Sequence, residues 1–264
     1  MAGKKNRGVS SLFIGVGQWH RLSRGSIEVI ENAIAGFPHV SSIKGFQEID
    51  SAMADAQLDD EKTFVEWGKY GWTVNPYAKY SMYFRFPKDQ ADADKKAMRY
   101  CSDEVMDQYF ERLLENKRCK RSDVDESIFC FRNKKYRACA SLLVELIDGE
   151  LIRSDMSGDY RKFCMYGVKH LRSSIINKEE INGWDISKAT LLYLDFQCLD
   201  QALQELFKGN PDFENEPPLI NRNFLLHGMS RRKTRRRDCI QLYLMYGNLL
   251  QYTGFCLAAK QNNK

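Results

Sequence analysis

The sequence predicts an all-α protein: a helical bundle with a smaller, mainly helical N-terminal region. Three observations carry this. Proline is scarce, with 6 in 264 residues, which favours long helices over a turn-rich β fold. Apolar residues recur at three- and four-residue spacing over much of the chain. Hydrophobic content of 43% and charged content of 28% belong to an ordinary globular chain, long enough to bury a sizeable core.

The basic N-terminus, MAGKKNRGVSS, reads as a polar tail. Ile27, Ile30 and Ala33/Ile34 share a helical face that ends at Gly36 and Pro38. A second helix is expected over 43–57. The aromatic-rich stretch 69–86 fits a loop or a short strand, with its aromatics either packed inside or stacked on bases. PKDQADADKK, near 90–100, is polar and reads as a connector. It places a boundary between an N-terminal region at 1–95 and a bundle at 96–264.

A helix is expected at about 102–117. Ser102 would cap it, Asp103 and Glu104 suit its first turn, and Val105/Met106, Tyr109/Phe110 and Leu113 form its apolar face. The next helix is expected from about 124 to 153, with a stripe of Tyr136, Ala140, Leu143, Ile147 and Leu151. Asp148 and Glu145 lie at the edge of that stripe. Asp185 or Ser187 would cap a helix running to about 207. The last helix should begin near Asp238. Its stretch 239–257 is apolar almost all round, so it lies either at the centre of a bundle or against another chain.

Eight cysteines occur without a CxxC pair or a histidine at zinc-ligand spacing, which points to reduced thiols in a cytoplasmic protein and to no metal. No run approaches the roughly 20 apolar residues that span a bilayer. Net charge is +5, and residues 231–237 alone hold Arg231, Arg232, Lys233, Arg235, Arg236 and Arg237. Without those six, the 40 basic residues become 34 against 35 acidic ones. The basic excess is therefore local, as a polyanion site requires.

That run follows NRNFLLHGMS. Two helical turns over 220–227 would put Asn223 and His227 on one face, with Arg222 beside it. Leu225 and Leu226 would face inward, and Gly228 would take the left-handed conformation that ends the helix. The free N–H groups of the helix start would add to the site. An imidazole, a guanidinium and a carboxamide meet the needs of RNA cleavage by the neighbouring 2′-hydroxyl. Protons must leave that hydroxyl and reach the leaving oxygen, and a crowded phosphorane must be stabilised. Arg grips two phosphate oxygens, imidazole moves protons near neutral pH, and neither metal nor cofactor is required. One histidine cannot be both acid and base in a single site, so a homodimer pairing two copies of His227 is expected, with the last helix as candidate interface. Plainer roles exist beside these: Arg222 pairing with Glu214 or Glu216, Asn223 as a cap, His227 as a helix-end cation, and 231–237 as a solvated loop.

Arg222-Asn223, three residues, then His227-Gly228 resembles the signature of the HEPN superfamily, helical bundles that include many prokaryotic defence and toxin ribonucleases. NRNFLLHG followed by DCIQLYLMYGNLL is similar to the end of its abortive-infection branch. NKKYRACASLLVELIDGELIR (133–153) resembles an earlier helix of that branch, with Asp148-Gly149 where Glu is the commoner acid, and GWTVNP (71–76) is similar to a segment upstream. The resemblance implies a dimeric endoribonuclease in which Arg222 and His227 are catalytic and Asn223 orients. Asp148 and Gly228 would support them, and 231–237 would hold flanking phosphates of a tRNA or mRNA. Control by a trigger or inhibitor partner is expected, since an always-active ribonuclease would harm its host. Some members of the superfamily bind RNA, nucleotides or proteins without cutting, which is the alternative reading.

Overall fold

Short polar side chains set the starts of two successive helices. Asp89 accepts from the N–H of Asp92 at 2.8 Å and Ser102 from that of Val105 at 3.4 Å, satisfying donors a helix start leaves open. The computed structural model describes residues 60–154, 186–209 and 213–261. The helices expected at 26–36 and 43–57 lie outside the described residues.

Among the described residues the chain is all-helical. The elements are α1 (Glu61–Lys69), α2 (Gln90–Met98), α3 (Asp103–Glu115), α4 (Arg121–Arg132), α5 (Tyr136–Arg153), α6 (Ile186–Leu206), α7 (Arg222–Leu226) and α8 (Arg236–Gln261), with one 3-10 turn at Tyr80–Met82. No described helix is long and apolar enough to cross a membrane, and the six cysteines among the described residues are free thiols.

The helix expected over 124–153 is two helices. Lys134 takes a φ of 58°, and the Asn133 carboxamide donates to the carbonyl of Phe129 at 2.8 Å. The N–H of Lys135 reaches back to the carbonyl of Cys130 at 2.8 Å. Asn side chains compete in this way for backbone groups, so the chain turns without glycine or proline. α4 then folds back along α5.

α8 is central. It packs on α5 and α6, and Cys239, Ile240, Tyr243, Tyr246, Leu249 and Tyr252 are buried. Of the two readings of this apolar helix, the described part is therefore the bundle centre: its surface is covered by the chain's own helices and cannot serve as the dimer interface. Tyr243 packs at a tilt against Phe110 with ring centroids 4.7 Å apart, and its hydroxyl hydrogen-bonds with Ser127 Oγ at 2.9 Å. The Tyr109 hydroxyl donates to the Tyr243 carbonyl at 2.9 Å. Gly247, one turn on, makes room, because a Cβ there would collide with the Tyr109 hydroxyl.

The boundary expected at 95/96 falls inside α2, and the polar stretch read as a connector forms much of that helix. Residues 60–95 share one core with the rest: α1 lies along α6, and Phe64, Trp67, Trp72 and Tyr83 are fully buried. The aromatics at 70–84 are thus packing groups in large part. Asn75 organises them. Its N–H donates to the Tyr83 hydroxyl at 2.9 Å, and its carboxamide donates to the Tyr100 carbonyl at 3.2 Å. Asn248 on α8 holds the same segment through Thr73 Oγ1 at 2.9 Å and the Val74 carbonyl at 2.8 Å.

Candidate functional site

α7 is one short helix pinned at both ends. At its start stands Asn221, a buried carboxamide. Its oxygen accepts from the N–H groups of Asn223 at 3.0 Å and Phe224 at 3.4 Å. Its nitrogen donates to the Lys208 carbonyl at 2.9 Å and the Glu205 carbonyl at 3.4 Å. One side chain therefore caps α7 and ties it to the end of α6. Asn223 is not the cap, and the helix start does not offer those two N–H groups to an anion, because Asn221 takes them.

At the other end Gly228 has a φ of 72°. The N–H of Met229 reaches the carbonyl of Phe224 at 2.9 Å, and that of Gly228 reaches Leu225 at 3.2 Å. This paired closure is the Schellman arrangement, which favours glycine at the left-handed position. Phe224 and Leu225 are the buried pair, whereas Leu226 is 37% exposed. The inward face is thus shifted by one residue from the expected Leu225/Leu226, with Phe224 packed on Phe213.

Arg222 pairs with Asp148 on α5, not with Glu214 or Glu216. Nε and Nη2 both donate to Asp148 Oδ2, at 3.2 and 2.9 Å, and Nη1 donates to Asn223 Oδ1 at 3.4 Å. A guanidinium has five N–H donors, so these three bonds fix its plane and leave two. Both partners are only partly exposed, Arg222 at 35% and Asp148 at 27%, which keeps the pair less screened than a surface pair.

His227 ends α7 as its C-cap residue, and its N–H donates to the Asn223 carbonyl at 3.1 Å. Its imidazole is exposed and has no hydrogen-bond partner among the described residues. The ring sits edge-on to Phe213 with centroids 5.7 Å apart, and Phe213 packs edge-on to Phe224 at 5.3 Å. Phe213 adopts a φ of 52°, a conformation bulky residues rarely take. One of its neighbours lies in α7 and the other caps that helix, so the aromatic contact restrains an imidazole that is otherwise exposed.

The basic run divides. Arg232 pairs with Asp238 at 3.1 Å, Arg236 with Asp103 at 2.8 Å, and Arg237 with Asp94 and Asp238. Arg236 also lies over the Phe131 ring, 5.4 Å from its centroid. Arg236 and Arg237 hold the start of α8 to α3 and α2, and Arg232 ties the loop before α8 to its first turn. The exposed side chains of Arg231, Lys233 and Arg235 have no ion pair among the described residues. Glu216 clamps the intervening loop, accepting from the Ser230 hydroxyl at 2.5 Å and from the N–H groups of Arg231 and Arg232 at 2.8 and 3.1 Å. Burial opposes its ionisation, but those donors outweigh it and hold the carboxyl below its ordinary value.

Sequence reasoning missed Asn221 and Phe213, and it weighed Glu216 only as a partner for Arg222, whereas Glu216 clamps residues 230–232. Asn221 had a local signal, a cap residue directly before the helix. Phe213 and Glu216 had none, since only the path of the 213–220 loop brings them to α7 and to residues 230–232. Comparison with family models, with characterised proteins and with solved structures finds no match for the chain.

Proposed function

We propose that this protein is an endoribonuclease that cleaves RNA by attack of the 2′-hydroxyl and leaves a 2′,3′-cyclic phosphate. The observation that carries the reading is one short helix presenting a fixed guanidinium and a free imidazole. Asp148 and Asn223 hold Arg222 with two N–H groups unspent, and His227 stands exposed at the end of the same helix.

In the reaction the two remaining Arg222 donors meet the non-bridging oxygens of the scissile phosphate and stabilise the charge that builds on the phosphorane. The His227 imidazole takes the 2′-hydroxyl proton or protonates the departing 5′-oxygen. A second copy of the chain, with its own imidazole, supplies the complementary step, so a homodimer is the active form. The exposed apolar side chains Leu226 and Met229, which flank His227, are where that copy would rest. The cytoplasm supplies the tRNA or mRNA substrate, and the resemblance to abortive-infection proteins supports a role as toxin or anti-phage effector under the control of a trigger.

The test is cleavage of a labelled RNA pool in EDTA by wild type, His227→Ala and Arg222→Ala, with analysis of the new ends. Cyclic phosphate ends produced by wild type and lost in both variants are the expected result. Cleavage that survives both substitutions would overturn the assignment. Tight RNA binding without cutting under any trigger would replace it with the binding-module reading.

A further inference from the structure

The turn between α4 and α5 opens one wall of a groove of about 890 Å³, and residues 232–234 form the opposite wall. Lys134, Lys135 and Arg137 line one side, Arg232 and Lys233 the other, and no acidic residue lines it. Arg232 is committed to Asp238. The other four are exposed and have no ion pair among the described residues.

These cations stand at the wrong end of a helix. α5 runs for 18 residues, begins without a side-chain cap and has no acid in its first turn. The partial positive charge of a helix start favours anions and opposes cations, so clustering Lys134, Lys135 and Arg137 there costs stability until a negative group arrives. A second observation is independent of the helix. Thr234 also lines the groove, is 7% exposed, and its hydroxyl has no hydrogen-bond partner. A buried hydroxyl left unpaired is destabilising until it finds a partner.

We infer that this groove binds the phosphodiester backbone of a single-stranded RNA and leads it to the Arg222–His227 site. The N–H groups that open α5 and the Thr234 hydroxyl take phosphate oxygens, and the four free cations neutralise neighbouring phosphates. Tyr136, half-buried in the groove wall, offers a face to a base. The direction of the strand rests on the ribonuclease reading; the binding does not. Arg137 Nη1 donates to the Ser230 carbonyl at 3.4 Å, three residues past His227. Arg137 and Asp148 lie on one row of α5, three turns and about 16 Å apart.

The experiment measures binding of a fluorescent single-stranded RNA to full-length His227→Ala protein across a salt series, so that cutting plays no part. Lys135→Ala, Arg137→Ala and Lys233→Ala are combined in one variant, Thr234→Val is made separately, and arginine replaces Lys135 and Lys233 as the charge-keeping control. The triple variant is expected to bind at least about tenfold more weakly near 0.1 M salt. Its log–log salt slope should fall by about 2, at about 0.7 for each phosphate that is no longer neutralised. The control should bind as the parent does. Equal affinity and slope in parent and triple variant, or no RNA binding by the parent, overturns the groove. Complete displacement of the RNA by inorganic phosphate at matched ionic strength would show a site for a free anion and overturn the strand. Groove-dependent binding with no cleavage by wild type in the parallel assay removes the ribonuclease reading and leaves the groove standing.

Discussion

Asp148 on α5 and Arg222 on α7 meet across 74 residues of sequence, with one carboxylate oxygen accepting from both Nε at 3.2 Å and Nη2 at 2.9 Å. The second carboxylate oxygen makes no bond to the guanidinium. The pair orients the arginine while leaving it donors to spend.

On the proposed function, Asp148 is a positioning residue and Arg222 a catalytic one. Arg222→Ala is expected to lower the single-turnover cleavage rate by roughly 10²–10³. Asp148→Asn, which keeps the shape and loses the charge, should cost roughly ten- to a hundredfold in rate with RNA affinity unchanged. An Asp148→Asn protein that cuts at the wild-type rate would sink the positioning role.

Asn221 should matter to stability as well as to activity. Asn221→Ala removes the α7 cap and both bonds to the end of α6, at a cost of about 1–2 kcal/mol. The expected reading is a lower denaturant midpoint at unchanged slope. Asn221→Asp keeps the acceptor and loses the donors, so it should fall between the two. An alanine variant as stable as wild type would show that the cap contributes nothing measurable.

Glu150 is fully buried and takes four partners. It accepts from Arg118 at 2.5 Å, Arg153 at 3.1 Å, the Thr253 hydroxyl at 2.6 Å and the Ser154 hydroxyl at 3.4 Å. It joins α5 to α8 and to the segment before α4. Glu150→Ala strands those donors and is expected to destabilise by about 3–5 kcal/mol. Thermal unfolding measures this, and a loss well under about 1 kcal/mol would contradict it.

Asp195 on α6 accepts from the Tyr80 hydroxyl at 2.5 Å. Burial pushes its carboxyl up to about 7, against the lowering effect of that hydrogen bond. The folded protein therefore keeps this proton up to about pH 7, whereas the unfolded chain releases it near about pH 4. The stability it contributes is full below about pH 4 and is lost as pH rises through about 7. Asp195→Asn should flatten the difference in unfolding free energy between about pH 5 and about pH 8. An unchanged difference would place the pH dependence elsewhere.

Much of the fold was legible because it is local. Ser102 capping α3, the buried stripe of α5 and the stop at Gly228 depend on residues within a few positions of each other, where spacing and side-chain chemistry decide. The α4–α5 turn was hidden because it has neither glycine nor proline. It depends on Asn133 turning back on its own helix and on the packing that rewards the reversal. The connector reading of residues 90–98 failed for a related reason. Polar residues cover the outer face of α2, while Ala93 and Ala97 bury a face too small to register as an apolar stripe.

The candidate site divides in the same way. The sequence by itself determined that Arg222, Asn223 and His227 lie together on one short helix or at its end, that Gly228 stops it and that a basic segment follows, although it drew that helix as two turns over 220–227 where the structure has Arg222–Leu226. Those are relations between near neighbours in the chain. Only the tertiary structure decided that Asp148 holds Arg222, that Phe213 restrains His227, and that half of the basic run is spent on Asp94, Asp103 and Asp238. It alone brought Lys135 and Arg137 opposite Lys233. Ion pairs and grooves join residues far apart in the chain, and no periodicity encodes which distant partner a side chain meets. That is settled when the apolar faces of α5, α6 and α8 close on one another and fix where every polar group between them must lie.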